Sequence, residues 1–236
     1  MKQSIKYTIL LMVIWAVCVP VLADDYPTVS PSVTFTTADG TEQTTTSFSG
    51  SAPIKAHCTA NPENVGDWDC YYEWRVFHAS DTTAYIIRYE EDTDLEFNES
   101  GTHTIQLYAR FTRNDETLEF DTSEDPFTVT ISESNLEMPN AFSPNGDGIN
   151  DQYKAKSGYQ SITEFHASIF NRWGQKLYEW DDPAGYWDGT YKGKTVKDGV
   201  YFVLVKAKGA DGKVYNIKRD VNVITGHNSE TTSTGE

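Results

Sequence analysis

The chain predicts an all-β protein of two β-sandwich domains, and three observations carry that prediction. Apolar and polar residues alternate with period two in short runs: Ile105, Leu107, Ala109 and Phe111 interleave with Thr104, Gln106, Tyr108 and Arg110, and Phe127, Val129 and Ile131 interleave with threonines. Such alternation gives a strand one buried and one solvated face. Turn-forming clusters separate the runs, among them Asp181-Asp182-Pro183, Lys192-Gly193-Lys194 and Ala210-Asp211-Gly212. No segment sustains the 3.6-residue period of an amphipathic helix.

The first residues read as an export signal. Lys2 and Lys6 precede an apolar run from Tyr7 to Val19, and Val21-Leu22-Ala23 stands directly before two aspartates. A charged start, a short apolar centre and a small residue at the end make residues 1–23 a signal peptide cleaved after Ala23. The run is too short to cross a hydrocarbon core of about 30 Å, and the mature chain offers no other transmembrane candidate. Cys18 follows Trp15-Ala16-Val17, a poor lipid-attachment context.

Residues 24–133 form the first predicted domain. Strand-like runs at 33–37, 54–58, 70–77, 84–89, 103–111 and 127–131 approach the seven strands of an immunoglobulin-like sandwich. Trp74 sits within one of these runs and is expected in the core. The acidic stretch Glu90-Glu91-Asp92-Thr93-Asp94 reads as a solvated loop, with calcium binding as the alternative. Two cysteines remain after cleavage, Cys58 and Cys70. In an oxidising compartment an even pair predicts a disulfide worth about 3 kcal/mol.

The polar residues 134–138 read as a linker, 139–226 as a second β domain with strands at 162–173, 176–180, 199–208 and 213–224, and 227–236 as a disordered tail. Charge divides at the same boundary. Residues 24–138 hold 23 Asp/Glu against 5 Lys/Arg, whereas 139–236 hold 12 against 12. An acidic first half beside a neutral second half without a basic stripe repels phosphate backbones, so nucleic acid is not an expected partner.

Catalysis is not expected. The histidines at 57, 78, 103, 166 and 227 are scattered in sequence, and neither a nucleophile elbow nor a phosphate-cradling glycine loop is present.

Two resemblances sharpen this reading. Ala52-Pro53-Ile54, Tyr72-Glu73-Trp74-Arg75-Val76-Phe77 and Gly101-Thr102-His103-Thr104-Ile105-Gln106-Leu107 resemble the PKD type of immunoglobulin-like domain, with His103 where tyrosine is common. In the second half, four motifs occur in order: Pro139 to Asp151, Ile169-Phe170-Asn171-Arg172-Trp173-Gly174, Tyr186-Trp187-Asp188-Gly189-Thr190-Tyr191-Lys192-Gly193, and Asp198-Gly199-Val200-Tyr201-Phe202. They resemble the gliding-motility-associated C-terminal domain, the type B sorting domain of the type IX secretion system. The resemblance implies export from a Gram-negative bacterium, secretion or cell-surface display, and a partner in the type IX machinery or at the outer membrane. The polar end after Gly226 departs from the apolar-basic terminus usual in that family.

Several site residues follow. The Asn-Gly and Asp-Gly steps of 145–148 predict a tight turn, while Asn145, Asp147, Asn150 and Asp151 also place four oxygen-bearing side chains within seven residues, as in part of a calcium loop. No cofactor is expected to be required, with calcium as the alternative at this loop. Arg172 is a candidate recognition contact. Adjacent strand residues face opposite ways, so Arg172 and Trp173 are not expected to touch, and Trp173 and Trp187 are both expected to cap the small core. The resulting expectation is a non-enzymatic exported protein, an Ig-like module joined to a sorting module. The alternative is a carbohydrate- or protein-binding adhesin, suggested by 6 Trp and 14 Tyr.

Overall fold

The computed structural model describes residues 26–79 and 81–226; the predicted signal peptide with Cys18 and the predicted tail lie outside them. Among these residues the regular structure is entirely β. The first domain contains β1 (Thr28–Val29), β2 (Ser32–Thr36), β3 (Glu42–Thr44), β4 (Ser47–Gly50), β5 (Ile54–Thr59), β6 (Pro62–Glu63), β7 (Asp69–His78), β8 (Ile86–Arg88), β9 (Asp92–Phe97), β10 (Gly101–Arg113), β11 (Glu116–Asp121) and β12 (Phe127–Ile131). One sheet runs β4-β12-β10-β7-β8, with β11 pairing the far end of β10, and the facing sheet runs β3-β2-β5-β9. The inward residues of both, including Val33, Phe35, Ile54, Trp74, Val76, Leu107 and Phe111, form one buried cluster. Trp74 is central to it and spends its indole N–H on the Glu91 carbonyl at 3.1 Å, which satisfies a donor that is costly to bury unpaired.

The acidic stretch at 90–94 is where local composition misleads. It runs into β9, whose Thr93, Leu95 and Phe97 are buried while Asp92, Asp94 and Glu96 face water. The carboxylates occupy the solvent side of a period-two strand, and pairing of Ile54 through Thr59 with that strand supplies the order.

The second domain contains β13 (Ala141–Phe142), β14 (Ile162–Phe170), β15 (Lys176–Trp180), β16 (Thr190–Tyr191), β17 (Lys194–Thr195), β18 (Gly199–Gly209) and β19 (Val214–Val223). Its main sheet is ordered β13-β19-β18-β14-β15. The opposite layer is thin: the β16–β17 hairpin, an isolated Tyr153–Trp187 bridge, and connecting segments carrying Leu136, Met138 and Tyr153. Large aromatic side chains fill the space that further strands would occupy, with Tyr153 and Trp187 among the fully buried residues. β14, expected to run over 162–173, ends at Phe170, and residues 171–174 form a turn closed by the Gly174 N–H to Asn171 O bond at 3.0 Å.

The domains meet through small polar side chains. Ser161 bonds Ser132 Oγ at 2.8 Å and accepts from the Ala52 N–H at 3.2 Å. Ser100 N–H donates to Ala210 O at 3.0 Å, and Ala210 packs on the first core. These contacts gather at the Ile162 and Gly209 ends of β14 and β18, leaving the Phe170 and Gly199 ends pointing away from the first domain.

Candidate functional site

The four sequence motifs of the second domain are separated by up to 60 residues, yet they converge at that distal end. The first motif is a turn built around a carboxylate. Gly146 and Gly148 adopt φ of 80° and 85°, a region glycine enters freely. Asp151 Oδ1 accepts from the Asn145 and Gly146 N–H groups at 3.0 and 2.7 Å, and its Oδ2 from Gly148 at 2.7 Å. The amides of Gly146 and then Gly148 hold the Asp151 carboxyl below the usual carboxylate range. Asp147 Oδ1 accepts from Ile149 N–H at 2.8 Å, and Asn145 Oδ1 from Asp147 N–H at 3.1 Å. Asn150, at φ 55°, returns its carbonyl to Ser143 N–H at 2.8 Å. A calcium site needs oxygens turned toward one point; here amide donors already converge on Asp151, which suits a structural turn. Among the described residues no group of three or more His, Cys, Asp or Glu is arranged to hold a metal ion.

The second motif supplies the exposed feature. Asn171 Oδ1 accepts from the Trp173 and Gln175 N–H groups at 3.0 Å each, shaping the turn. Because this is a turn and not strand, Arg172 and Trp173 do not diverge: the guanidinium carbon lies 4.4 Å from the indole centroid, within cation–π range. The expectation that they stay apart is therefore corrected, and so is the placing of Trp173 in the core, since it is 76% exposed. Trp187 is 0% exposed, as expected. It touches Phe142 and Tyr201 at centroid distances of 5.2 and 5.7 Å and donates its indole N–H to Thr190 O at 2.8 Å. Trp187 thus joins the first, third and fourth motifs through one buried ring. Gly189 is required beside it, with φ of 77° and an added Cβ lying 2.7 Å from Pro144.

The second, third and fourth motifs, with the β16–β17 hairpin, wall a groove of about 390 Å³ lined by Arg172, Trp173, Tyr191, Lys194, Lys197 and Val200, among others, while the first motif lies outside it. Gln175 Nε2 donates to Tyr191 Oη at 2.9 Å across it. Asp198, on the same wall, accepts from the Thr225 N–H and hydroxyl at 3.0 and 2.6 Å. Burial pushes the Tyr201 phenol pKa up, opposed by the nearby Arg172 charge. The groove is aromatic and mainly cationic, suited to holding a partner that brings negative charge.

The cysteines do not pair. Cys58 is buried in the first core and Cys70 is exposed, both as free thiols; Cys58 faces inward from β5, while Cys70 lies in the opposite sheet with its thiol directed at Trp68 O, 3.5 Å away. Burial pushes the Cys58 thiol pKa up to about 12.

Two side-chain groupings were hidden in the sequence. Register pairs His103 with His78. His103 is buried, accepts from Tyr85 O–H at 2.8 Å on Nδ1 and donates from Nε2 to Glu99 O at 2.9 Å. The second grouping is a chain of Ser168 Oγ, His166 Nε2 at 3.2 Å, and His166 Nδ1 to Asp181 Oδ1 at 2.6 Å. It resembles a hydrolytic triad in connectivity, but Ser168 lies mid-strand with partners on both sides. Its amide is committed to the ladder and is not free to stabilise an oxyanion.

Comparison with known proteins places the second domain. Residues 136–227 match the family described as the CHU_C type IX secretion signal domain. No curated protein sequence matches the chain. Similar solved structures include latent PorU from Porphyromonas gingivalis at 12% identity and TM-score 0.24, covering 86% of this chain and 20% of that one. DIP-gamma IG1+IG2 shows 10% identity and TM-score 0.26 over 87% of this chain and 100% of that chain. The Bacteroides ovatus SGBP-B, in complex with a mixed-linkage heptasaccharide, shows 11% identity and TM-score 0.25 over 75% and 42%. The chain spans about a fifth of the PorU chain. At these scores the likenesses carry no argument about function.

Proposed function

We propose that the second domain is an address read by the type IX machinery at the Arg172–Trp173 groove, and that the first, a PKD-type module, is the non-enzymatic cargo it carries to the cell surface or medium. The observation supporting this most is the convergence of three of the four signal-domain motifs on one groove, with the first motif joined to them through the buried Phe142–Trp187 contact. Trp187, Gly189 and Asp151 build the scaffold from within, while Arg172 and Trp173 project from it without supporting the core. Residues so placed serve recognition more naturally than stability. The test is export of an inert periplasmic reporter fused to residues 134–236 in a bacterium with a working type IX system. The reporter should cross the outer membrane, and Arg172→Ala together with Trp173→Ala should hold it in the periplasm with the domain still folded. A reporter that stays periplasmic with the unaltered domain overturns the address role.

A second reading, ligand binding by the first domain, is favoured by one feature. Tyr71, Tyr89 and Tyr108 cluster on the outer sheet face at centroid distances of 6.1 and 6.2 Å, with Arg110 and Arg75 over the Tyr71 and Tyr108 rings at 5.1 and 5.2 Å. Aromatic and arginine side chains are the residue types that anchor interfaces. A glycan array probed with the mature chain tests it; specific sugar binding abolished by Tyr71→Ala supports an adhesin, and silence removes the carbohydrate form of the idea.

A further inference from the structure

The outer face of the second domain's sheet carries a row of apolar side chains that the fold leaves uncovered. Val200, Phe202 and Leu204 alternate along β18 and are 48%, 40% and 40% exposed, and Phe170 lies opposite Phe202 in register. The inward neighbours Val203 and Val205 already supply the core, so the outward positions are free to be polar. The row continues past Val200 into the exposed Trp173 at the groove.

Around it stand Arg172, Lys176, Lys194, Lys197, Lys206, Lys208 and Lys218, against Glu164, Glu179, Asp181, Asp198 and Asp220. A net positive, amphipathic face on a chain of net charge −16 is a local exception. Its position isolates it from the acidic first domain. The contacts between domains lie at Ser161 and Ala210, and the eight strand steps from Ile162 to Phe170 separate the tip from them by about 26 Å. Physiological salt screens exposed charges beyond about 8 Å, so the first domain does not cancel the tip.

We propose that this face docks on an anionic lipid surface, with Trp173, Val200, Phe202 and Leu204 entering the headgroup region and the surrounding cations meeting lipid phosphates. Tryptophan favours such interfaces because its ring is apolar with one polar edge. Lysine stems lie along apolar surface while their ammonium groups reach phosphate. Self-association through the same face sets two positive surfaces together, which opposes it. This proposal stands apart from the sorting role, because vesicle binding and reporter export are read separately.

The test mixes the chain lacking its expected leader with vesicles of phosphatidylcholine, with or without phosphatidylglycerol. Trp68, Trp74, Trp180 and Trp187 are buried, so a blue shift of emission on binding reports Trp173 and should vanish in Trp173→Tyr. The chain should sediment with the anionic vesicles only, less so at high salt. Arg172→Ala, and Lys206→Ala outside the groove, should each weaken binding roughly fivefold, with circular dichroism confirming the fold. Absence of sedimentation overturns the proposal and leaves an acidic protein as the alternative occupant. Binding without the blue shift, or equal binding to uncharged vesicles, also overturns it.

Discussion

Arg172 and Trp173, adjacent in sequence, form a cation–π pair with 4.4 Å between guanidinium carbon and indole centroid, while Trp187, fourteen residues on, is sealed in the core. The two tryptophans have similar local surroundings, each followed within two residues by glycine. Their different fates depend on where β14 stops. Once the strand ends at Phe170, the Asn171 side chain binds the amides of residues 173 and 175 and throws both residues outward.

Mutation should separate the pair from the scaffold. Trp173→Ala should change unfolding stability by no more than about 0.5 kcal/mol, as for exposed positions away from structural features. Trp187→Ala should cost about 3–5 kcal/mol through lost burial and a cavity. Denaturant unfolding of both variants checks this, and equal costs would contradict the assignment.

Thiol reactivity should be split. Cys70 should react with a thiol reagent in the folded protein, whereas Cys58, buried and with its thiol pKa pushed up to about 12, should react only after unfolding. For the chain lacking its expected leader, and with it Cys18, titration in buffer and then in denaturant should count one thiol and then two. No reactive thiol under either condition would mean that the two are bonded to each other.

The Asp151 turn predicts an acid-sensitive contribution without metal dependence. The amides of Gly146 and Gly148 lower its folded pKa. Its stabilisation is therefore present above the unfolded value of about 3.9 and is lost as pH falls through the lower folded value. Asp151→Asn should remove that pH dependence in thermal melts. Added calcium should leave the melting temperature of the parent unchanged, and a rise with calcium would favour the cation reading of Asn145, Asp147, Asn150 and Asp151.

His103 predicts a second pH dependence, at higher pH and in the first domain. Burial lowers its pKa, opposed in part by the Glu99 carbonyl bond. A histidine kept neutral in the fold must take up a proton against that environment. The stability it supports is thus present above the unfolded value of about 6.5 and falls as pH drops toward the folded value. His103→Phe should flatten unfolding stability across that window, which chemical denaturation at a series of pH values measures.

Period-two alternation was enough to place β10 and β12, because side-chain burial in a strand is a local pattern with a fixed period, and β14, β15, β18 and β19 were legible as strand-forming runs between turn signals. The turn glycines and the four ordered motifs were equally legible, since positive φ and chain reversal are demanded by short segments. The sequence alone therefore determined an all-β chain with a signal-type second domain. Tertiary structure decided what depended on partners remote in sequence. Pairing with β5 turned the acidic stretch at 92–97 into an ordered strand, and placement in opposite sheets left Cys58 and Cys70 unbonded. The same long-range packing brought His103 beside His78, and set Trp173 outside while Trp187 closed the core. In each case burial is a property of what packs against a residue, and a chain of alternating polarity does not specify which distant segment that will be.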